Sequence, residues 1–304
     1  MIGASLTFPL VSRRRLLGLA FGTMHGARRG TGSDIAGSRP YRSGDDPHRI
    51  DWGSSARLSA ARGTEEFLVR EYLADEAPRV VCCVDRRPSM GLARFELPFL
   101  HKDVAASVAR SVIEDSVAES RGLIGCLEFG EHATSVDWCP PASGRRSAPL
   151  IPYEVPPRES DGVTAALEFL AIHRRAVPSA SFVFVLSDFL EQPHVEAWDA
   201  ALDRGWDVVP VVIQDPIWEQ GFPDVDRLVV PLASEDGRIR PVRLRLGESE
   251  RCRARHEERL ARFVEDVRSV GIEPVLVSDE ERDHVFGRFL DWSAERQAAW
   301  GHAA

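Results

Sequence analysis

Two continuous apolar runs, each ending in an acid, dominate the pattern of this chain. The first covers residues 80–84 and ends at Asp85; the second covers residues 182–186 and ends in Ser187 and Asp188. Apolar runs of this kind, rich in β-branched residues, are typical of strands that are buried on both faces of a parallel sheet. Because parallel strands end at the same sheet edge, we expect the two strands to be adjacent and both carboxylates to lie at that edge.

Strand and helix patterns alternate from residue 78 to the C-terminus, which predicts an α/β fold with a doubly wound, mainly parallel sheet. Further strands are predicted over residues 123–129, 206–213 and 272–277, and an edge strand over 133–138 that prolines end. Residues 215–246 predict an inserted hairpin that turns at 235–237. Helices are predicted around residues 195–202, over residues 249–270, at the C-terminus and from Thr164 onward. A further helix is predicted because one of its faces would be apolar, formed by Leu100, Val104, Val108, Val112 and Ile113.

The N-terminal quarter has a different pattern, which predicts a β-rich annex over residues 1–76 ahead of the α/β domain at 77–304. It is polar and rich in glycine and arginine, with short alternating runs at 49–52 and 66–72. Three arginines at 13–15 precede a short apolar core and resemble a twin-arginine export signal. Because the core breaks at residues 22–25, the pattern favours a first amphipathic segment of the fold, with export as the alternative.

Composition narrows the classes of function. The formal net charge of −9 argues against a nucleic-acid partner, which requires a basic face. No apolar stretch approaches the ~20 residues of a membrane span. The five cysteines are odd in number and lack metal-ligand spacing, which favours a reducing compartment and predicts a cytoplasmic protein.

The loop after the first apolar run, Asp85-x-Arg87-x-Ser89, is similar to the Asp-x-Ser-x-Ser loop of von Willebrand factor A-like domains. This resemblance implies a metal-ion-dependent adhesion site, in which Thr164 and Asp188 would complete the ligands of a divalent ion and a partner's carboxylate would fill its open position. Carboxylates and hydroxyls are the oxygen ligands that suit Mg²⁺. Arg87, however, replaces a hydroxyl with a guanidinium that cannot deprotonate. We therefore expect a degenerate site without a cofactor, with Arg87 paired to a carboxylate or turned to solvent, and keep Mg²⁺ as the alternative.

A second resemblance rests on the annex. Its motif looks like the Arg-x-Tyr-x-x-Gly-Asp, Ile-Asp-Trp and Ala-Arg signature of the domain-of-unknown-function-58 family, here at Arg39, Tyr41, Gly44, Asp45, Asp51, Trp52 and Arg57. The resemblance implies a von Willebrand A-like domain and a MoxR-type AAA+ ATPase as partner. The residues themselves predict a turn at Gly44-Asp45, a packing anchor at Trp52, and an ion-pair network of Arg39, Asp51 and Arg57.

The sequence as a whole predicts a non-catalytic adaptor that binds such an ATPase. Neither a Gly-rich phosphate loop with lysine nor a Gly-x-Ser-x-Gly elbow is present. Two alternatives stay open: a divalent-metal-dependent hydrolase that uses Asp85 and Asp188, and a binding protein exported by the twin-arginine route.

Overall fold

The computed structural model describes residues 6–12, 25–42, 45–64, 66–75, 77–91, 100–132, 135–143, 151–154, 161–224, 227, 229–233 and 239–301. The chain forms two compact units: Ser12–Pro78, and Met1–Val11 together with Arg79–Ala304. The arginines at positions 13–15 lie outside the described residues. Within the described part of the chain, no helix has both the length and the hydropathy that crossing a membrane requires.

The smaller unit, Ser12–Pro78, contains a strand pair and a helix. β1 (His25–Pro40) pairs antiparallel with β2 (Leu68–Asp75), with a register irregularity between Gly30 and Ile35. Between the strands, α1 spans Trp52–Arg62. The expected β-rich annex therefore also contains a helix.

The strand predicted over residues 49–52 is wrong. Only Ile50 makes a β-bridge there, to Val69. Asp51 is the N-cap of α1, and its carboxylate accepts a hydrogen bond from the Ser54 N–H at 3.1 Å. An N-cap aspartate satisfies a helical N–H that has no partner inside the helix, so it directs the following residues into a helix.

The elements of the larger unit follow one another in the α/β order that the sequence predicts. In chain order they are β3 (Arg79–Asp85), α2 (Lys102–Glu119), β4 (Leu123–His132), β5 (Ser135–Ala142), β6 (Ile151–Glu154), α3 (Gly162–Ile172), β7 (Phe182–Ser187), α4 (Val195–Asp203), β8 (Asp207–Ile213), β9 (Val229–Ala233), β10 (Ile239–Arg243), α5 (Glu248–Ser269), β11 (Val275–Val277) and α6 (Arg282–Gly301).

A mainly parallel sheet carries the core of this unit. Its strand order is β11-β8-β7-β3-β4-β5-β6, parallel from β11 to β4 and antiparallel at β5 and β6. Side chains from α3, α4 and α5 cover one face of the sheet. On the opposite face, Phe184 of β7 contacts Phe289 and Trp292 of α6. Helices on both faces of a parallel sheet confirm the doubly wound α/β class.

Two details of this sheet correct the sequence predictions. The edge strand is β6, and β5 lies between β4 and β6. Pro140 and Pro141 do not end β5. They lie beyond Trp138, where β5 has its last partner in β6, so their missing N–H groups interrupt no ladder on that side. The inserted hairpin is confirmed as the antiparallel pair β9 and β10; its turn lies outside the described residues.

The predicted apolar face of α2 is also partly wrong. Val104 is 44% exposed, whereas the buried side of the helix carries small residues such as Ala105, Ala106 and Ala109 together with Val112 and Ile113. Because alanines allow a helix to approach a sheet closely, the alanine side of α2 faces the sheet. The buried side of the helix is therefore shifted by one residue from the predicted face of large side chains. Lys102 lies on this buried stripe.

Candidate functional site

The two acidic strand ends lie side by side, as the apolar pattern predicts. β3 and β7 are adjacent and parallel, with Val84 opposite Leu186, so Asp85 and Asp188 follow at the same edge of the sheet. Asp85 is 1% exposed and Asp188 is fully buried. Because an ionised carboxylate is strongly disfavoured in the interior without a partner, each of these acids needs a cation or several hydrogen-bond donors.

Asp85 receives its donors from its own loop and from β7. The Arg87 guanidinium donates to the Asp85 carboxylate through Nε, at 3.0 Å from Oδ2, and through NH2, at 2.7 Å from the same atom. The backbone N–H of Arg87 donates to Oδ1 at 2.9 Å, and the Ser187 hydroxyl donates to Oδ2 at 2.6 Å. NH2 of Arg87 also lies 3.8 Å from an oxygen of Asp188, so the guanidinium lies close to both acids.

One glycine makes room for the Arg87 side chain. A Cβ atom at Gly130, whose φ is +88°, would lie 2.5 Å from Cγ of Arg87. Gly130 lies in β4, the strand that pairs with β3. The backbone of β4 therefore approaches the arginine stem closely, and the orientation of Arg87 toward Asp85 is fixed by packing as well as by charge.

Asp188 has a different cation. Nζ of Lys102 donates to Oδ2 of Asp188 at 2.9 Å and also to the carboxylate of Glu219. The Ser89 hydroxyl hydrogen-bonds to Asp188, and the backbone N–H of Leu190 donates to its Oδ1 at 3.2 Å. Lys102 is only 6% exposed, so this is a buried three-residue ion cluster.

The protonation states of this cluster follow from burial and from the charges within it. Burial raises the pKa of Asp188, but the nearby Lys102 ammonium and its hydrogen bonds outweigh this and hold the pKa below its usual value. Burial lowers the pKa of Lys102, and the attraction of Asp188 and Glu219 raises it beyond its usual value. For Glu219, burial outweighs the attraction of Lys102 and its pKa is raised. The Lys102–Asp188 pair is therefore ionised at neutral pH.

Thr164, expected beside the two acids, has its hydroxyl engaged elsewhere. Its Oγ1 donates to Oδ2 of Asp161 at 2.6 Å, and its backbone N–H donates to Oδ1 of the same residue at 2.7 Å. Asp161 is the N-cap of α3. The structure thus brings together Asp85, Arg87, Ser89 and Asp188, while the threonine hydroxyl serves the helix cap.

Sequence reasoning missed Lys102 and Glu219, although a signal for the lysine exists. Lys102 is the only lysine in a chain with 38 basic residues, so arginine carries every other fixed positive charge. It is also in phase with Ala105, Ala109 and Ile113 on the buried side of α2. A lysine on a buried stripe requires an acidic partner. Glu219 lies in a non-periodic turn, and no comparable signal points to it.

The annex motif is built around a surface turn. The Arg39 guanidinium binds Asp45 through two hydrogen bonds, NH1 to Oδ2 at 2.7 Å and NH2 to Oδ1 at 2.6 Å. The backbone N–H of Arg42 donates to the same carboxylate at 2.7 Å. These bonds lower the pKa of Asp45 to about 2, the Arg39 side chain being the largest cause. Gly44, the other residue of the predicted turn, lies outside the described residues.

The remaining motif residues lie at or near the start of α1. Trp52 is 62% exposed and makes an edge contact with Phe67 at a ring distance of 5.9 Å, so its prediction as a packing anchor is wrong. In the expected strand, Trp52 would lie on the same face as Ile50, two residues earlier. In helix α1, the residue that is buried is Ser55. Nε of Arg57 donates to the Gly53 carbonyl, and Tyr41 is 38% exposed.

Comparisons with known proteins agree with the motif. The family described as "Protein of unknown function DUF58" matches residues 37–263. No curated protein matches the chain. Among solved structures, the chain resembles the conserved hypothetical protein BatB from Bacteroides thetaiotaomicron, with 17% identity, a TM-score of 0.36, and coverage of 72% of this chain and 99% of that one.

A second solved structure, the ArnB paralog VWA2 from Sulfolobus acidocaldarius, shows 14% identity and a TM-score of 0.28, covering 46% of this chain and 36% of that one. Both TM-scores are below 0.5, so the fold assignment rests on the strand order and on the helices that cover the sheet.

Proposed function

We propose that this chain, which belongs to the DUF58 family, is a non-catalytic protein-interaction module. The observation that supports this function is the neutralisation of both strand-end acids by cations of the chain itself, Arg87 at Asp85 and Lys102 at Asp188. A buried carboxylate held by a cation in this way is poorly suited to act as a nucleophile or a general base, which needs access to substrate. A fixed, charged sheet edge is better suited to recognition than to reaction.

The same contacts support a degenerate metal-ion-dependent adhesion site without a cofactor. Mg²⁺ requires near-octahedral oxygen ligands at about 2.0–2.1 Å. Here the oxygens of Asp85 and Asp188 already accept from Arg87 and Lys102. Two unit charges about 4 Å apart interact by about 4 kcal/mol at an effective dielectric of ~20, which equals the free energy of a millimolar affinity, about 4 kcal/mol. The residues as arranged therefore do not fit a divalent ion.

Titration calorimetry with Mg²⁺ and Mn²⁺ tests the cofactor part of the proposal. We expect no binding by the parent protein. Arg87→Ser alone leaves Lys102 on Asp188, so we expect measurable affinity only when Lys102→Gln is combined with it. Micromolar binding by the parent that is lost in Asp188→Asn would overturn the proposal, because it would show that a metal displaces both cations.

The proposed partner is a MoxR-type AAA+ ATPase, and the proposed location is the cytoplasm. Membership of the DUF58 family supports the partner, through the resemblance of the annex motif. The location is supported by the five cysteines, which are all unpaired thiols, four of them buried. Unpaired thiols suit a reducing compartment.

Co-purification with the ATPase and measurement of its ATP hydrolysis test the partner. We expect the full chain to capture the enzyme and to change its hydrolysis rate. Ser89→Ala and Arg87→Met should weaken capture more than Glu258→Ala, a change at a 68% exposed residue on the surface of α5. Equal effects of all three variants would place the interface away from the sheet edge, and no capture by the parent would overturn the partner.

The contacts do not favour the hydrolase alternative, since Asp85 and Asp188 are both buried and both bound to cations. The export alternative depends on residues 13–15, which lie outside the described residues.

A further inference from the structure

Three aromatic residues lie side by side on the surface of the smaller unit. Tyr41 directly follows β1 and Phe67 directly precedes β2, and the Tyr41 N–H donates to the Phe67 carbonyl at 2.8 Å, so the two residues continue the pairing of the strands. The other edge of β2 is bridged to Ile50, two residues before Trp52, and the Trp52 ring contacts the Phe67 ring at 5.9 Å. Tyr41, Phe67 and Trp52 are called the aromatic row below.

The aromatic row is exposed although it is apolar. Trp52 is 62% exposed, Phe67 41% and Tyr41 38%. Among the described residues, none accepts a hydrogen bond from the indole Nε1 of Trp52, whereas Trp206 and Trp292 donate theirs to backbone carbonyls at 3.1 and 3.2 Å. A contiguous exposed apolar surface that carries an unused donor is typical of an interaction site.

The size and charge of this surface restrict its occupant. A fully buried aromatic side chain covers about 150–250 Å², so the exposed fractions of the row together present about 300 Å². A standard interface between folded proteins buries about 800 Å² per partner. Residues 39–67 carry five arginines and five acidic residues, so their formal charge is zero. The row therefore suits a short, uncharged segment better than a second copy of this chain or a highly charged partner.

The backbone beside the row is already paired, which excludes an added β-strand as the occupant. The Phe67 carbonyl accepts from Tyr41, the Leu68 carbonyl accepts from the Asp51 N–H at 2.8 Å, and the Leu68 N–H donates to Oγ of Ser55 at 2.9 Å. A polyproline II segment needs no such backbone partners and binds to aromatic surfaces. Three neighbouring strand segments span about 9.5 Å, and prolines three positions apart in polyproline II are separated by about 9 Å.

From these observations we infer that the aromatic row binds a proline-rich segment of a partner protein in the polyproline II conformation. Proline rings pack on Tyr41 and Trp52 at the two ends of the row, and Nε1 of Trp52 donates to a carbonyl of the segment. Because the segment is already extended when free, it loses little conformational entropy on binding. The surface lies in the smaller unit and does not depend on the sheet edge or on the proposed ATPase.

The test is a titration of the full chain, labelled with ¹⁵N-tryptophan, with acetyl-Pro-Pro-Pro-Pro-Pro-Pro-amide. We expect the indole N–H resonance of Trp52, identified by its loss in Trp52→Leu, to shift, while that of the buried Trp206 stays in place. Tyr41→Ala should weaken the affinity by about two- to tenfold, the range of one aromatic contact, and Tyr41→Phe, which keeps the ring, should restore it. The matched control Ile172→Ala removes a side chain of α3 that is 71% exposed and should leave the affinity at the parent value.

Three results would overturn the inference. No shift with the proline peptide, or an equal shift with the flexible acetyl-Gly-Ser-Gly-Ser-Gly-Ser-amide, would show that proline is not recognised. Equal affinities of Tyr41→Ala and Ile172→Ala would show that the row is not the contact. A Trp52 shift that depends on protein concentration without peptide would place a second copy on the row. The titration contains no ATPase, so a chain that captures no ATPase but binds the proline peptide would lose only the proposed partner.

Discussion

Two arginine–aspartate pairs of this chain have nearly the same chemistry and very different surroundings. In the smaller unit, Arg39 binds Asp45 through two hydrogen bonds, and a backbone N–H of the turn completes the carboxylate. In the larger unit, Arg87 binds Asp85 in the same two-bonded manner, again with a backbone N–H of the loop. The side chains of the first pair are 30% and 18% exposed, and those of the second are 17% and 0% exposed.

Burial, and not bond geometry, decides what such an arginine–aspartate pair does. Water can solvate either member of the Arg39–Asp45 pair if the other is removed, so this pair mainly shapes a turn. Water cannot solvate Asp85 in the same way, because Asp85 ends a strand that is buried on both faces. The carboxylate of Asp85 therefore needs the Arg87 guanidinium as its partner in the interior. The same holds for Asp188 and Lys102, where both members are nearly inaccessible.

The largest effect is expected for Lys102→Met. It leaves Asp188 buried without its cation, and breaking a buried pair from one side typically costs about 3–5 kcal/mol of unfolding free energy. Urea unfolding followed by circular dichroism measures the loss. The control Arg262→Met removes a cation that is 65% exposed and should cost less than about 1 kcal/mol.

The double variant Lys102→Met/Asp188→Asn distinguishes a lost charge partner from a general packing defect. Asparagine keeps an acceptor for the Leu190 N–H but carries no charge. If the uncompensated carboxylate is the cause, the double variant should recover about 1–3 kcal/mol relative to the sum of the single variants. Additive losses would contradict the ion-cluster explanation.

The second effect compares the two arginine–aspartate pairs directly. Arg87→Met should cost about 2–4 kcal/mol, somewhat less than the usual 3–5 kcal/mol for a broken buried pair, since Ser187 and a backbone N–H still donate to Asp85. Arg39→Met should shift the unfolding midpoint far less, because Asp45 can be solvated. Equal shifts of the urea midpoint in the two variants would show that burial does not set the difference between the pairs.

The third effect concerns the glycine that encloses Arg87. Gly130→Ala adds a Cβ atom 2.5 Å from Cγ of Arg87 at a φ of +88°, whereas Gly63→Ala has a φ of +68° and no atom within 4 Å of its Cβ. The positive φ alone costs about 1 kcal/mol, and the clash adds about 1–3 kcal/mol at Gly130 only. In an Arg87→Ala background, the cost of Gly130→Ala should fall toward that of Gly63→Ala, with a remainder from the contacts of the new Cβ atom with the Arg87 backbone N and Asp85 Oδ1, both at 3.2 Å. No decrease would mean that the arginine stem is not the obstacle.

The comparison also separates what the sequence could and could not predict. The strands that lead to Asp85 and Asp188 were predictable because burial on both faces leaves residues 80–84 and 182–186 entirely apolar, and parallel pairing then places the strand ends together. The helix at Trp52–Arg62 was not predicted, because four alternating residues at 49–52 match a strand as well as a capped helix.

For the candidate site, the strand ends and their own loop were accessible to sequence reasoning and the long-range partners were not. Lys102 lies 86 residues from Asp188 and 117 residues from Glu219 along the chain, and ion pairs between separate elements leave no periodic trace. The presence of a single lysine was a signal in the composition, but only its burial in the structure shows that Lys102 compensates buried acids. Local patterns therefore predict where charge must be compensated, and tertiary structure determines by which residue.

The smallest effect is a change of one pKa in the exposed pair. Arg39 holds the pKa of Asp45 at about 2, below the ordinary value of 3.8. An aspartate whose pKa is lowered by folding stabilises the folded state above its unfolded pKa, and this stabilisation is lost as the pH falls through the folded pKa. In Arg39→Gln, the carboxyl ¹³C resonance of Asp45 should titrate closer to pH 4, with the remaining lowering due to the Arg42 N–H. Arg57→Gln is the control and should leave the titration unchanged, since the Nε of Arg57 donates to a backbone carbonyl. A titration near pH 2 in Arg39→Gln would assign the low pKa to the turn backbone, and the arginine would then matter only in the buried pair.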